Sequence, residues 1–64
     1  MTLEELECLK EAELEQLIKK NFVKDPEFAN DCRYSLGKLQ LEGTNPDCVP
    51  LNMTKGMTWV NHAV

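Results

Sequence analysis

The sequence has 64 residues, 42% of them apolar, and a formal net charge of −4 at neutral pH. A chain of this length holds one small domain with a marginal core, so we expect residues 1–64 to form a single helical domain. The apolar content is too high for a disordered acidic segment, and the acidic balance argues against direct nucleic-acid binding, which depends on Lys and Arg.

The first predicted helix spans residues 3–20. Thr2 followed by Glu5 matches a capping box, in which each side chain accepts from the other residue's amide. The apolar residues separate onto one side of this helix at 100° per residue, although Lys10 interrupts the stripe; they are Leu3, Leu6, Leu14, Leu17 and Ile18. The leucine pairs repeat at eleven residues rather than seven, which disfavours a long left-handed coiled coil.

A second stripe on the same helix is acidic and consists of Glu4, Glu7, Glu11 and Glu15. Residues four apart on a helix advance about 6 Å, close to the separation of neighbouring phosphates on a nucleic-acid strand. The stripe is therefore either a solvated face or an acidic recognition face that mimics nucleic acid.

The second predicted helix spans residues 26–42. Asp25 is a suitable N-cap, Pro26 suits the first helical position, and Gly43 is a suitable stop. Its apolar residues follow helical spacing: Phe28, Cys32, Leu36 and Leu39. The two helices predict an all-α fold, an antiparallel hairpin over residues 2–43 that can pair into a four-helix bundle.

The remaining loop and tail, residues 44–64, begin with two proline-containing breaks at Pro46 and Pro50. The tail beyond them is hydrophobic, and its pattern fits an irregular segment, a short strand near Met57–Trp59 or one to two helical turns over 55–63. Met57 and Trp59 are the expected anchors, because Met and aromatic residues are enriched at interface centres.

The sequence contains no pattern typical of a catalytic or metal site. The cysteines and the histidine (Cys8, Cys32, Cys48 and His62) lack the closely spaced ligand pairs of zinc modules. We therefore expect no catalytic residues, no metal and no cofactor. The start of the chain lacks a signal-peptide pattern and no segment is long and apolar enough for a membrane span, so the expected location is intracellular and cytoplasmic with reduced cysteines.

The predicted function is a non-enzymatic protein–protein interaction module, a regulator, adaptor or inhibitor that docks on a larger protein or forms a homodimer. Its expected interface residues are Leu3, Leu6, Leu14, Leu17, Ile18, Met57 and Trp59. One alternative is an acidic decoy for the nucleic-acid-binding groove of a partner. The second is a helix-turn-helix DNA-binding regulator that reads DNA with the outer face of the second helix: Arg33, Tyr34, Lys38 and Gln40.

Overall fold

A computed structural model describes residues 3–63, apart from the side chain of Leu3. Four α-helices follow one another: α1 (Leu3–Glu7), α2 (Glu11–Asn21), α3 (Pro26–Glu42) and α4 (Met53–His62). The described residues contain no strand. The prediction of an all-helical fold is confirmed. The predicted capping box depends on Thr2, which lies outside the described residues.

The longest helix, α3, packs against each of the other three helices. Its predicted bounds are confirmed at both ends. Asp25 Oδ1 accepts a hydrogen bond from the Phe28 amide at 3.2 Å, and Pro26 occupies the first turn. Gly43 ends the helix with a φ of 63°, and its amide donates to Leu39 O at 2.8 Å. A left-handed residue at this position favours glycine, so local sequence determines both ends of α3.

The prediction of one continuous helix over residues 3–20 is wrong, because the helix is interrupted at Cys8–Lys10. A continuous helix would place Lys10 on the buried side between Leu6 and Leu14. The interruption leaves Lys10 exposed while Leu6 and Leu14 are both buried. Keeping the ammonium group in water avoids the cost of burying a charge.

In a continuous helix the Glu11 amide would donate to the Glu7 carbonyl. Here each of these two groups has a different partner. The Glu11 amide donates to Cys48 O at 3.2 Å, and Asn45 Nδ2 donates to Glu7 O at 3.0 Å. Both replacement partners belong to the turn at residues 45–48. This distant turn therefore satisfies two backbone groups that the interruption leaves without a helical partner.

The hydrophobic tail forms the helix α4. The sequence allowed an irregular segment, a short strand or helical turns, and the structure contains the helix. Asn52 caps it, with Oδ1 accepting from the Lys55 amide at 3.1 Å. The Asn52 amide in turn donates to Gln40 O at 2.9 Å, which joins the start of α4 to α3.

The contact between α3 and α4 is close because each helix contributes a glycine. A Cβ built on Gly37 would lie 2.7 Å from Val60 Cγ2 and 2.9 Å from Gly56 O. A Cβ built on Gly56 would lie 2.8 Å from Leu41 Cγ and 2.9 Å from Gly37 O. Gly37, which lowers helix propensity, is therefore required at this position for packing.

The core contains the buried apolar side chains of three helices and the 45–49 turn: Leu6, Leu14, Ile18, Cys32, Leu36, Leu39 and Val49. Gln40 is also fully buried, which corrects its expected place on the outer face of the second helix. Its Nε2 donates to Glu11 Oε1 at 2.8 Å, while its Oε1 has no hydrogen-bond partner among the described residues. A helix face that reads DNA therefore cannot include Gln40.

Candidate interaction surface

The structure divides the predicted interface residues between the core and the surface. Leu6, Leu14 and Ile18 are buried inside the chain itself, and Leu17 and Trp59 pack partly buried against that core. Met57 is 54% exposed. The side chain of Leu3 lies outside the described residues. Met57 is therefore the predicted interface residue that is most available to a partner among those described.

The predicted acidic stripe is distributed over two helices. Glu4 and Glu7 belong to α1, whereas Glu11 and Glu15 belong to α2, so the interruption breaks the regular spacing between them. Glu7 Oε1 lies 4.0 Å from Lys38 Nζ, and Glu11 Oε1 lies 3.7 Å from Lys55 Nζ. Two of the four carboxylates thus face cations of the same chain. The decoy interpretation stays a prediction.

The cysteines and the histidine occupy separate environments. Cys8 is exposed, Cys48 is half-buried, Cys32 is buried and His62 is exposed. Burial raises the pKa of the Cys32 thiol above its ordinary value, and the neighbouring Asp31 carboxylate adds to the rise. The neutral thiol is a poor nucleophile and a poor metal ligand. Among residues 3–63, no group of three or more His, Cys, Asp and Glu side chains is placed to hold a metal ion.

A groove of about 270 Å³ runs along the junction of α3 and α4. We call it the α3–α4 groove, and its lining residues are Tyr34, Lys38, Leu41, Glu42 and Val60. Tyr34 is 50% exposed, while Leu41 and Val60 are half-buried. Gly37 and Gly56 bring the two helices together next to two residues of the groove, since a Cβ on Gly37 would meet Val60 and a Cβ on Gly56 would meet Leu41.

One wall of the groove continues into two exposed methionines. Met53, Met57 and Val60 are spaced at i, i+4 and i+7 on α4, so they share one side of that helix. Met53 is 65% exposed and Met57 is 54% exposed. Tyr34, Leu41 and Val60 line the groove, and the two methionines extend the apolar side of α4 that begins at Val60. Scattered single apolar residues are ordinary on protein surfaces, whereas a contiguous set beside a groove is typical of an interaction site.

Sequence reasoning identified Met57 but missed the other half of this surface. The sequence predicts Tyr34 on a helix face that reads DNA and predicts no role for Leu41 or Val60. A sequence signal was present in Gly37 and Gly56, because a glycine inside a helix often marks a close approach of another backbone. A contact between these two glycines places Val60 beside Gly37 and Leu41 beside Gly56.

Comparisons with protein-family models, with curated proteins and with solved structures find no match to this chain. None of the helices within residues 3–63 has the length and apolar character that crossing a bilayer requires.

Proposed function

We propose that the protein is a non-enzymatic interaction module that binds an amphipathic helix of a partner protein in the α3–α4 groove. The observation that carries this proposal is the groove lined by Tyr34, Leu41 and Val60, with exposed Met53 and Met57 on the same side of α4 as Val60. Grooves of this kind bind helices whose apolar residues recur at i, i+3, i+4 and i+7. In this proposal α2, which packs against α3, is the first helix of the predicted hairpin and supports the α3–α4 pair.

The size of the groove favours protein side chains over a small-molecule ligand. Its volume is about 270 Å³, below the range of about 300–1,000 Å³ that is usual for small-molecule sites. Methionine side chains are flexible and polarisable, so they adapt to side chains of different shape. A shallow surface of this composition fits one face of a helix.

The charge of the chain favours a basic partner. Its net charge is −4, and long-range attraction accelerates encounter with a cationic protein. At the groove itself, Glu42 is exposed and lies one turn after Lys38. A partner helix with Lys or Arg beside its apolar stripe would place a cation near Glu42. We therefore commit to a basic amphipathic helix as the occupant.

The test uses a display library of amphipathic helical peptides of about four turns, the length at which isolated helices become marginally stable. Peptides selected on the ¹⁵N-labelled full chain should carry net positive charge, and they should shift the amide resonances of Tyr34, Leu41 and Val60. Tyr34→Ala should weaken binding about tenfold, because aromatic residues at interface centres dominate affinity.

Thr58→Ala is the matched control, since Thr58 is exposed on α4 but lies on the side away from Met53 and Met57. Its peptide affinity should equal that of the parent chain. Selection of acidic peptides, or resonance shifts confined to residues outside the groove, would contradict the proposal. So would a library that yields no binder.

A further inference from the structure

A second depression lies on the outer side of α2 and shares no lining residue with the α3–α4 groove. Its lining residues, which we call the α2 outer face, are Leu9, Glu13, Gln16, Leu17 and Lys20. Leu9 and Leu17 are half-buried against the core, whereas Glu13, Gln16 and Lys20 are exposed. The face thus consists of an apolar floor with an anion near one end and a cation near the other.

The positions of the two charges make this face complementary to itself. Glu13 and Lys20 are equally distant in sequence from the midpoint between Gln16 and Leu17. If two α2 helices pair in antiparallel orientation about a twofold axis at that midpoint, Glu13 lies opposite Lys20 of the partner subunit, and the reverse pair forms by symmetry. A parallel pairing would instead place like charges together.

The same register accounts for an exposed apolar residue next to α2. Val23 follows the end of the helix and is 84% exposed. In the antiparallel pair, the chain just beyond the end of one α2 runs beside the start of the other. Leu9 would then lie near Val23 of the partner subunit, so the apolar groups at both ends of the depression become covered.

We infer that the α2 outer face is a self-association surface, at which two copies of this chain form an antiparallel α2–α2 dimer with reciprocal Glu13–Lys20 pairs. The surface is small, so the dimer is weak and forms in a concentration-dependent way. It is separate from the α3–α4 groove, and a dimer of this kind leaves both grooves open to peptide.

The test measures sedimentation of the full chain, in reductant, from about 10 μM to about 1 mM, a concentration range that brackets the dissociation constants of weak dimers. The parent chain should show a monomer–dimer equilibrium. Glu13→Lys and Lys20→Glu should each weaken the dimer about tenfold, because both reciprocal pairs become repulsive. An equimolar mixture of the two variants should recover the parent affinity, since the heterodimer contains opposite charges at both pairs.

The mixture separates interface pairing from an effect on the helix alone. Each single variant also loses a favourable interaction with the α2 dipole, but mixing cannot restore that loss. Melting curves from circular dichroism confirm that both variants are folded. A chain that is monomeric at the highest concentration, a dimer insensitive to either single variant, or a mixture without recovery would overturn the inference.

Tyr34→Ala is the control that distinguishes this surface from the α3–α4 groove, and it should leave self-association unchanged. Loss of the dimer in Tyr34→Ala would place self-association at the groove and overturn the inference. The peptide-binding experiment is unaffected by any of these results, so the two proposals fail independently.

Discussion

The contact between α3 and α4 differs from the interruption at residues 8–10, which we call the α1–α2 joint. The two are stabilised in opposite ways. At Gly37 and Gly56, two backbones approach because side chains are absent, and any added atom must displace a neighbour. At the interruption, Asn45 and Cys48 supply polar atoms that the helix itself lacks, and any removed atom leaves a backbone group unsatisfied. The first contact is therefore sensitive to addition of atoms and the second region to their removal.

The largest loss of stability is expected from removal of a core side chain beside the joint. Leu14 is fully buried, and Leu14→Ala should lower the free energy of unfolding by about 2–5 kcal/mol. A domain of this size is stabilised by about 3–5 kcal/mol in total, so the variant should be largely unfolded by circular dichroism at 25 °C.

Met53→Ala provides the matched control, because Met53 is 65% exposed. Its unfolding free energy should stay within about 0.5 kcal/mol of the parent value. A folded Leu14→Ala chain with parent stability would show that the core is not where the structure places it.

The next largest effect is expected from adding a methyl group at the glycine contact. Gly37→Ala and Gly56→Ala should each destabilise the chain by about 1–3 kcal/mol, although alanine favours helix formation by about 1 kcal/mol over glycine. The clash outweighs the propensity because backbone oxygens, which cannot rotate away, lie 2.9 Å from both added groups. Urea denaturation measures the difference.

Asn61→Ala, at an exposed position of α4, controls for helix propensity and should be neutral or slightly stabilising. If Gly37→Ala or Gly56→Ala also raised stability, the close approach of α3 and α4 would be refuted, and the origin of the α3–α4 groove with it.

A smaller effect is expected from removing one hydrogen bond at the interruption. Asn45→Ala removes the donor to Glu7 O and should cost about 1 kcal/mol. Hydrogen exchange should accelerate at the amides of Cys8, Leu9 and Glu11, while exchange in α4 stays unchanged. Thr44→Ala, at the exposed neighbouring position, should alter neither rate. Uniform acceleration across all helices in Asn45→Ala would show that the joint does not open separately.

The smallest perturbation is chemical labelling of the three thiols at neutral pH. Cys8 should react first, half-buried Cys48 more slowly, and buried Cys32 at least about 100-fold more slowly, because Cys32 reacts only after global opening.

The raised pKa of Cys32 also has a consequence for stability. The neutral thiol stabilises the fold below the unfolded-state pKa, and this contribution is lost as pH rises through the folded-state pKa.

Mass spectrometry of the labelled chain gives the order of reaction. Comparison with Cys32→Ala, whose stability should fall less steeply as pH rises past the ordinary pKa of a thiol, isolates the contribution of this thiol. Rapid labelling of Cys32 in the folded chain would contradict its burial.

The sequence predicted those features that depend on neighbouring residues. The bounds of α3 follow from Asp25, Pro26 and Gly43, each of which acts within one turn of the helix. The all-helical fold follows from the apolar spacing. The interruption was not predictable in this way, because the groups that replace its hydrogen bonds are 37 and 38 residues away.

The candidate surface was predicted only in part for the same reason. Met57 could be predicted from its residue type, because Met is enriched at interface centres. Tyr34 and Leu41 line a groove only because α4 packs beside them. Gln40 is polar, so the sequence predicts an exposed position, yet its side chain is buried. The hydrogen bond from its Nε2 to Glu11 offsets part of the cost of that burial. Side chains whose environment is determined by a distant helix cannot be assigned from local pattern.

The hydrogen bond between Asn45 and Glu7 also bears on the order in which the chain folds. It closes a loop of 38 residues, whereas α2, α3 and α4 meet through shorter connections, and closing a longer loop costs more chain entropy. We therefore expect α1 to attach after the transition state, once the turn at residues 45–48 is in place. A change at Asn45 would then accelerate unfolding and leave the folding rate nearly constant, so this joint governs how long the native state persists rather than how quickly it forms.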